Sequence, residues 1–181
     1  SPMSLLQHYH EIVAQAEFDL DPNQEQVVSA FDELAQRLQH KPESKGWLWK
    51  RRQPSVQGLY LWGGVGRGKT WLMDLFCAHY PGLAVERHHF HSFMRQVHER
   101  LRELEGQAAP LDLAVSDMAQ RFRVLCLDEF HVIDIGDAML LRGLLEGLER
   151  AGITLVTTSN QPPDNLSLGG IPVSYTHLRA H

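Results

Sequence analysis

Residues 63–70 read GGVGRGKT and have the composition of a phosphate-binding loop. The string fits the pattern G-x-x-x-x-G-K-[ST] in full. An apolar stretch precedes it, and an amphipathic helical pattern, TWLMDLF, follows it. Glycines let the backbone turn its N–H groups toward a phosphate, and the positive end of the following helix adds to that attraction. The sequence therefore predicts a nucleotide-binding loop made of Gly63, Gly64, Val65, Gly66, Arg67, Gly68, Lys69 and Thr70.

Two adjacent carboxylates lie at the end of a second pattern, VLCLDEF at residues 124–130. Four apolar residues bring Asp128 to the end of a buried strand, the edge where ligands bind in open α/β sheets. We expect Asp128 and the Thr70 hydroxyl to be the Mg²⁺ ligands. Lys69 is expected to reach the β- and γ-phosphates of ATP, and Glu129 to polarise the attacking water. The Asp-Glu pair favours hydrolysis over phosphoryl transfer, and the sequence has no N-K-x-D guanine reader.

A third polar group follows the apolar stretch ITLVTTS at residues 153–159. Asn160 comes at the tip of this stretch, where an amide side chain can hydrogen-bond the γ-phosphate or the attacking water. We predict that role for Asn160, as a third catalytic residue beside Lys69 and Glu129. The alternative is a polar turn that begins at Asn160 and ends at Pro162.

Apolar stretches alternate with helical patterns through the rest of the chain and predict a layered α/β domain with a parallel sheet. The predicted strands are 59–62, 83–90, 123–128 and 153–159, and the predicted helices between them are 69–80, 92–105 and 137–151. Residues 1–56 are predicted to form a helical segment and a linker, with Asp21 as a helix cap. Residues 57–166 are predicted to form the nucleotide-binding core.

Composition limits the classes of partner. The chain has 181 residues and a formal net charge of −5, so non-specific attraction to nucleic acid or to an anionic membrane is not expected. No apolar run approaches the ~20 residues of a membrane span. Cys77 and Cys126 both lie in apolar runs and are predicted to be buried free thiols in a reducing compartment. His89 and His91, in HHFH, are predicted to lie on one face of a strand and invite a metal interpretation, but structural polar contacts are favoured. We expect a cytoplasmic protein.

These residues together resemble the ZapE-type AAA+ ATPases, bacterial cell-division proteins with mitochondrial relatives. The resemblance runs from about Leu5 to Leu166, and its most particular strings are HFHSFM and DEFHVIDIGDAM. It implies that residues 63–70 are the Walker A loop, that Asp128 and Glu129 are the Walker B pair, and that Asn160 is the sensor-1 asparagine. It also implies a P-loop three-layer sandwich, an oligomeric remodeller driven by ATP, and FtsZ as the partner.

The end of the chain departs from this family. After residue 166 it reads SLGGIPVSYTHLRAH, and SYTHLRAH resembles translated sequencing adapter. We therefore expect residues 167–181 to be a non-native tail, with the fifth strand, the helical lid and the arginine that reaches a neighbour's γ-phosphate all missing. Strand 59–62 would then be an exposed apolar edge. Such a chain is expected to bind Mg-ATP weakly and to hydrolyse it slowly.

Two other functions share this core. A DNA-associated loader or helicase-type ATPase would normally carry a stronger basic face than a net charge of −5 indicates. A nucleotide-dependent binding module would switch between states without productive turnover. Stimulation by single-stranded DNA distinguishes the first from a protein remodeller, and Glu129→Gln distinguishes the second.

Overall fold

A computed structural model describes residues 3–17, 21–40, 56–63, 68–132, 134–163 and 171–179. In chain order, its elements are α1 (Leu5–Gln15), α2 (Pro22–His40), β1 (Gly58–Gly63), α3 (Gly68–His79), a 3₁₀ turn (Pro81–Leu83), β2 (Val85–His89), α4 (Phe90–Glu103), α5 (Pro110–Arg121), β3 (Val124–Asp128), α6 (Ile135–Arg150), β4 (Thr154–Ser159) and β5 (Val173–Leu178).

The strands form one parallel sheet in the order β2-β3-β4-β1-β5. β3 and β4 are buried almost throughout, as their continuous apolar patterns predicted. β2 is shorter than predicted because Pro81–Leu83 form a 3₁₀ turn and Ala84 has a left-handed backbone, with φ 47°. At its other end, Phe90 already belongs to α4, so the histidine that follows it is helical.

Helices cover both faces of the sheet, which confirms the predicted three-layer α/β fold. Side chains from α1, α2 and α3 form one core with β1 and β3, around Phe31 and Phe76, whose rings stack with centroids 4.7 Å apart. Side chains from α4, α5 and α6 form a second core on the opposite face, around Phe90 and Phe130. The sequence had not indicated α5.

The predicted absence of a fifth strand is wrong. Residues 173–178 form β5, which pairs in parallel with β1 from Gly58↔Val173 to Gly63↔Leu178. β1 is therefore an interior strand, and its backbone groups are paired on both sides. The first and last side chains of β5 are buried, and Tyr175 lies against Tyr60 with ring centroids 5.6 Å apart. Pairing with β5 thus removes the exposed apolar edge that was predicted for β1.

Two N-terminal helices close the α3 face. Asp32 on α2 accepts hydrogen bonds from the backbone N–H groups of Leu5 and Leu6, both at 2.9 Å, which fixes the start of α1. The predicted helix cap at Asp21 is confirmed, since its carboxylate accepts from Asn23 N at 2.9 Å. None of the helices in the described ranges combines the length and the apolar character needed to cross a bilayer.

Candidate nucleotide site

The predicted phosphate loop joins β1 to α3. Gly63 ends β1 and Gly68 begins α3, while Gly64, Val65, Gly66 and Arg67 lie outside the described residues. A Cβ atom at Gly63 would lie 1.8 Å from the carbonyl oxygen of Leu178 on β5. Glycine at position 63 therefore allows β1 and β5 to pair right up to the start of the loop.

Lys69 lies in the first turn of α3 and is only 6% exposed. Its Nζ donates to the carbonyl oxygen of Gly63 at 3.1 Å, so the ammonium reaches back to the end of β1. Burial lowers the pKa of Lys69, and the negative charge of Glu129 opposes that shift. The next residue, Thr70, is exposed. The start of α3 thus presents an ammonium and a hydroxyl beside the predicted loop.

Asp128 ends β3 and is held by two neighbours. Its Oδ2 accepts from Arg87 Nε at 2.5 Å, and its Oδ1 accepts from the Thr158 hydroxyl at 3.2 Å. Arg87 also hydrogen-bonds Asp74 on α3. Burial alone would lower the pKa of the Arg87 guanidinium, but the bonds to Asp128 and Asp74 raise it above its ordinary value. The carboxylate of Asp128 is thereby fixed between β2, β4 and α3.

Glu129 follows with a left-handed backbone, φ 56°. Such a conformation costs a non-glycine residue roughly 1–3 kcal/mol and persists where neighbours impose it. Here the Glu129 N–H donates to the Thr158 hydroxyl at 3.1 Å, and the side chain is 70% exposed. The backbone turn therefore directs Glu129 away from the core while Asp128 remains on the strand.

His89 holds the exposed carboxylate of Glu129. It ends β2 directly beside Asp128, and its Nε2 lies 2.6 Å from Glu129 Oε2. Its Nδ1 accepts the backbone N–H of His91 at 3.2 Å, so Nε2 carries the proton and donates to Glu129. His89 thus makes polar contacts of the kind that the sequence favoured. No group of three potential ligands is found for a metal within the described ranges. The expectation that His89 and His91 share a strand face is wrong, because His91 is in α4.

Asn160 follows β4 and is exposed. The end of β4 is tied to the segment after β3, because Ser159 Oγ donates to the Phe130 carbonyl at 2.8 Å and Phe130 N donates to the Thr158 carbonyl at 2.7 Å. Gln161 N donates back to Ser159 Oγ at 3.1 Å, as in a polar turn. Asn160 therefore lies at the sheet edge that carries Asp128, and both predicted roles for it stay open.

The same edge thus contains a buried ammonium, a fixed carboxylate and an exposed carboxylate. The local motifs had identified Lys69, Asp128 and Glu129. His89 and Arg87 were missed as parts of the site, since their partners lie on other strands and helices. The position of HHFH at the end of a strand was the one available signal.

Comparison with known proteins agrees with this architecture. The family model of the AFG1-like ATPases matches residues 3–175. The chain is 54% identical over 130 residues to the cell division protein ZapE of Escherichia coli strain K12. The aligned region covers 70% of this chain and 35% of that protein. The chain thus spans about a third of the length of this relative.

Solved structures show the same fold at low sequence identity. Domain III of the replication initiation protein DnaA from Thermotoga maritima superposes with a TM-score of 0.56 at 18% identity, covering 88% of this chain and 64% of that one. The DnaC helicase loader gives a TM-score of 0.55 at 14% identity, covering 88% and 92%. With a family model that matches almost the whole sequence, this chain belongs to the AFG1-like ATPase family.

Proposed function

We propose that this chain binds Mg-ATP where β1 and β3 end and hydrolyses its γ-phosphate. The observation that carries the proposal is the grouping of Lys69, Asp128 and Glu129 at one sheet edge, with Lys69 and Glu129 close enough to interact electrostatically. Phosphoryl transfer to water requires a cation that binds the phosphates, a carboxylate that binds the metal and an exposed carboxylate that polarises the water.

The loop residues from Gly63 to Thr70 would surround the phosphates. Their backbone N–H groups and the start of α3 supply positive charge, and Lys69 adds a full charge. The ammonium now bonded to the Gly63 carbonyl would turn to the β- and γ-phosphates. A buried ammonium suits this exchange, because phosphate oxygens offer stronger hydrogen bonds than a peptide carbonyl.

The donor set fits the Mg²⁺ that accompanies ATP. Thr70 offers a hydroxyl and Asp128 a carboxylate, both hard oxygen ligands, and Mg²⁺ keeps several waters and phosphate oxygens as its other ligands. Asp128 accepts two hydrogen bonds from described partners, and a carboxylate has about four lone-pair sites. Asp128 therefore has lone pairs left to bind the metal or to accept a hydrogen bond from one of its waters.

Glu129 would orient and polarise the attacking water. Its carboxylate is exposed, and its donor His89 leaves the second oxygen available. Asn160, on the adjacent strand end, would hydrogen-bond the γ-phosphate or that water. Turnover by this chain is expected to be slow, because an arginine supplied by a neighbouring subunit is worth ~10³–10⁵ in rate in well-studied NTPases.

In the whole protein, we propose that ATP hydrolysis in a homo-oligomer remodels a protein partner. Support comes from the family and from the relative that is named a cell division protein. FtsZ is the proposed partner, as the family resemblance implies. The DNA-loader alternative has weaker support, since the likeness to a helicase loader at 14% identity concerns the fold alone.

Equilibrium binding followed by a single-turnover assay tests the proposal. Titration calorimetry of the chain with ATP, in Mg²⁺ and in excess chelator, should give one Mg²⁺-dependent site per chain. Radiolabelled ATP should then release phosphate slowly. Absence of ATP binding would overturn the proposal. Binding with no phosphate release would favour the switch module, and stimulation by single-stranded DNA would favour the loader.

A further inference from the structure

We infer that a groove beside strand β2 binds an extended segment of another protein that carries basic side chains at alternate positions. This α4–α5 groove is lined by residues of β2, α4 and α5 and has a volume of about 390 Å³. The inference goes beyond nucleotide hydrolysis and does not depend on it.

Part of the lining of the α4–α5 groove is apolar. Phe93 and Val97 on α4 and Met118 on α5 line it, and all three side chains are almost fully buried. Glu86 and His88 on β2 line it as well. A lining that combines apolar and acidic groups suits an arginine or lysine side chain, because the hydrocarbon stem packs on the apolar part and the charge meets the acidic part.

The charged part of the lining is acidic overall. Four carboxylates and two guanidinium groups give it a formal charge of −2, with histidine counted as neutral. These residues are Glu86, Glu99, Glu103, Asp117, Arg100 and Arg121. Arg100 already bonds both Glu103 and Asp117. Charge complementarity therefore favours a cationic occupant over an acidic one.

Glu86 is the carboxylate in this groove that most needs a donor. Its Oε2 is shielded from solvent and accepts no hydrogen bond from the described residues, since His88 Nε2, at 3.1 Å, lies outside hydrogen-bond geometry. Its Oε1 is 3.7 Å from Arg121 Nη1, which is longer than a hydrogen bond. Partly buried carboxylates normally accept hydrogen bonds. Because the Arg121 side chain is 58% exposed, an entering guanidinium or ammonium group can displace it and supply the missing donor.

Strand β2 is an edge strand and offers backbone hydrogen bonds to the same occupant. Among the described strands it pairs only with β3. The Ala84 carbonyl accepts from Val124 N on β3. Because the direction of the peptide groups alternates along a strand, those of Val85 and Arg87 point to the outer side of the sheet. An extended peptide can add to such an edge as a further strand.

The two faces of β2 determine the side-chain pattern of the added strand. Glu86 and His88 line the α4–α5 groove on one face, so every second side chain of the added strand lies on that face. The other face contains Arg87, which bridges Asp74 and Asp128. A basic side chain beside this guanidinium is disfavoured. Basic residues at alternate positions, with apolar residues between them, therefore fit both faces.

The α3 face of β2 also borders an apolar core. Val85 packs against this core, which contains Cys126 and, at its margin, Cys77. Cys126 is buried as predicted, whereas Cys77 is only partly buried, so the prediction is wrong for Cys77. Valine side chains on this face of an added strand would extend the apolar contact.

The test uses the 181-residue chain and the peptide Val-Arg-Val-Arg-Val-amide with fluorescein at its N-terminus. The control peptide has glutamate in place of both arginines. Fluorescence anisotropy should show saturable binding of the arginine peptide at one site per chain and no binding of the glutamate peptide. Unlabelled spermidine, a cation without a peptide backbone, should compete only at much higher concentration than the unlabelled arginine peptide.

Two groove variants should change the affinity in opposite directions. Glu86→Gln should weaken binding about three- to tenfold, between the effects expected of exposed and of buried charge pairs. Arg121→Gln should strengthen binding about twofold or more, because it removes the cation that competes for Glu86. The matched controls are Glu146→Gln and Arg142→Gln, which separate an ion pair on α6 and should leave the affinity unchanged. Circular dichroism ensures that every variant is folded.

Peptides with N-methyl groups test the strand addition. One carries the methyl group on the central valine nitrogen, and the other carries one on each arginine nitrogen. Since N–H groups alternate in direction along a strand, methylation should weaken binding in only one of the two, the one whose methylated groups face β2. The same affinity for both would overturn strand addition.

Other results would also overturn the inference. They are no binding of the arginine peptide, equal binding of the glutamate peptide, competition by spermidine at the same concentration as the peptide, and equal affinities in Glu86→Gln and Glu146→Gln. Self-association of the parent chain that is lost in Glu86→Gln would assign the groove to a second copy instead. None of these readouts requires nucleotide, so failure here leaves the proposed ATPase unaffected, and failure of ATP binding leaves the groove unaffected.

Discussion

His89 Nε2 donates to Glu129 Oε2 at 2.6 Å, although the two residues are 40 positions apart in the chain. Parallel pairing of β2 with β3 places His89 beside Asp128, and the left-handed turn at Glu129 brings its carboxylate back to the imidazole. The proposed base is therefore oriented by a neutral histidine whose other nitrogen accepts a backbone N–H. His89 acts in this arrangement as a positioning residue.

Replacing His89 by alanine should lower the single-turnover rate about tenfold while leaving ATP affinity nearly unchanged. A hydrogen bond to a charged group is worth about 1.5–3 kcal/mol, and this bond acts on the orientation of Glu129. His89→Gln, which keeps a donor at the side-chain end, should recover part of the rate. The matched control is His91→Ala, which keeps the backbone N–H that His91 donates to His89 and removes only the His91 ring, whose centroid lies 5.5 Å from that of the His89 ring. Equal losses in the two alanine variants would contradict the positioning role.

Replacing Glu129 by glutamine should preserve Mg-ATP binding and reduce hydrolysis about 10²–10⁴-fold, the usual contribution of a general base. Glutamine keeps the shape of the side chain, and its amide oxygen can still accept the hydrogen bond from His89 Nε2. It cannot polarise water as a carboxylate does. The control is Glu146→Gln, an exposed glutamate that pairs with Arg142 on α6. Phosphate release measured in a single turnover is the readout, and an unchanged rate in Glu129→Gln would remove Glu129 from the mechanism.

Replacing Arg87 by methionine should lower the free energy of unfolding by about 1–3 kcal/mol, since it leaves the mostly buried Asp128 carboxylate without its strongest donor. The control is Arg100→Met. Arg100 also pairs with two carboxylates, Glu103 and Asp117, but on the surface of α4, where the change should barely move the denaturation midpoint. Urea denaturation of the three chains is the measurement. Similar midpoints for both variants would contradict a special role for the Arg87 bridge.

The sheet and part of the site could be predicted from sequence because local patterns determine them. Continuous apolar runs identify β3 and β4 as interior strands. The strand–loop–helix context identifies Lys69, and the end of the apolar run of β3 identifies Asp128. The contact of His89 with Glu129 could not be predicted this way, because it depends on the register between two strands. β5 was missed for a related reason. Residues 167–181 were expected to be a non-native tail, yet VSYTHL pairs with β1 through the backbone, which most side chains permit.

Replacing Lys69 by methionine should weaken ATP binding about 10–100-fold, since charge-assisted hydrogen bonds contribute about 1.5–3 kcal/mol each. Without nucleotide, the same variant should be as stable as the parent or more stable. Burial lowers the pKa of Lys69, which means that the buried ammonium is disfavoured, and methionine removes that charge. Arg142→Met, which removes an exposed charge from α6, should change neither quantity. Calorimetric titration and urea denaturation supply the two numbers. Full ATP affinity in Lys69→Met would contradict the proposed phosphate contact.

The contact between Tyr80 and Asp32 should make the stability of the fold depend on alkaline pH. Burial and the hydrogen bond that Tyr80 donates to Asp32 raise the pKa of the phenol well above its ordinary value of 10.0. The unfolded chain therefore loses this proton at lower pH than the folded chain does. The stabilisation is fully present below pH 10 and is lost as the pH rises from there toward the folded pKa.

The comparison of Tyr80→Phe with the parent isolates this effect. The variant lacks the hydroxyl, so it should be less stable at neutral pH by about 0.5–1.5 kcal/mol, as for a typical hydrogen bond, or somewhat more because Asp32 is charged. Its stability should fall less steeply above pH 10. Burial also raises the pKa of Tyr9, but that group is present in both chains and cancels in the difference. Urea denaturation at several pH values between 8 and 11 measures both slopes. Parallel curves would show that the Tyr80 proton makes no contribution.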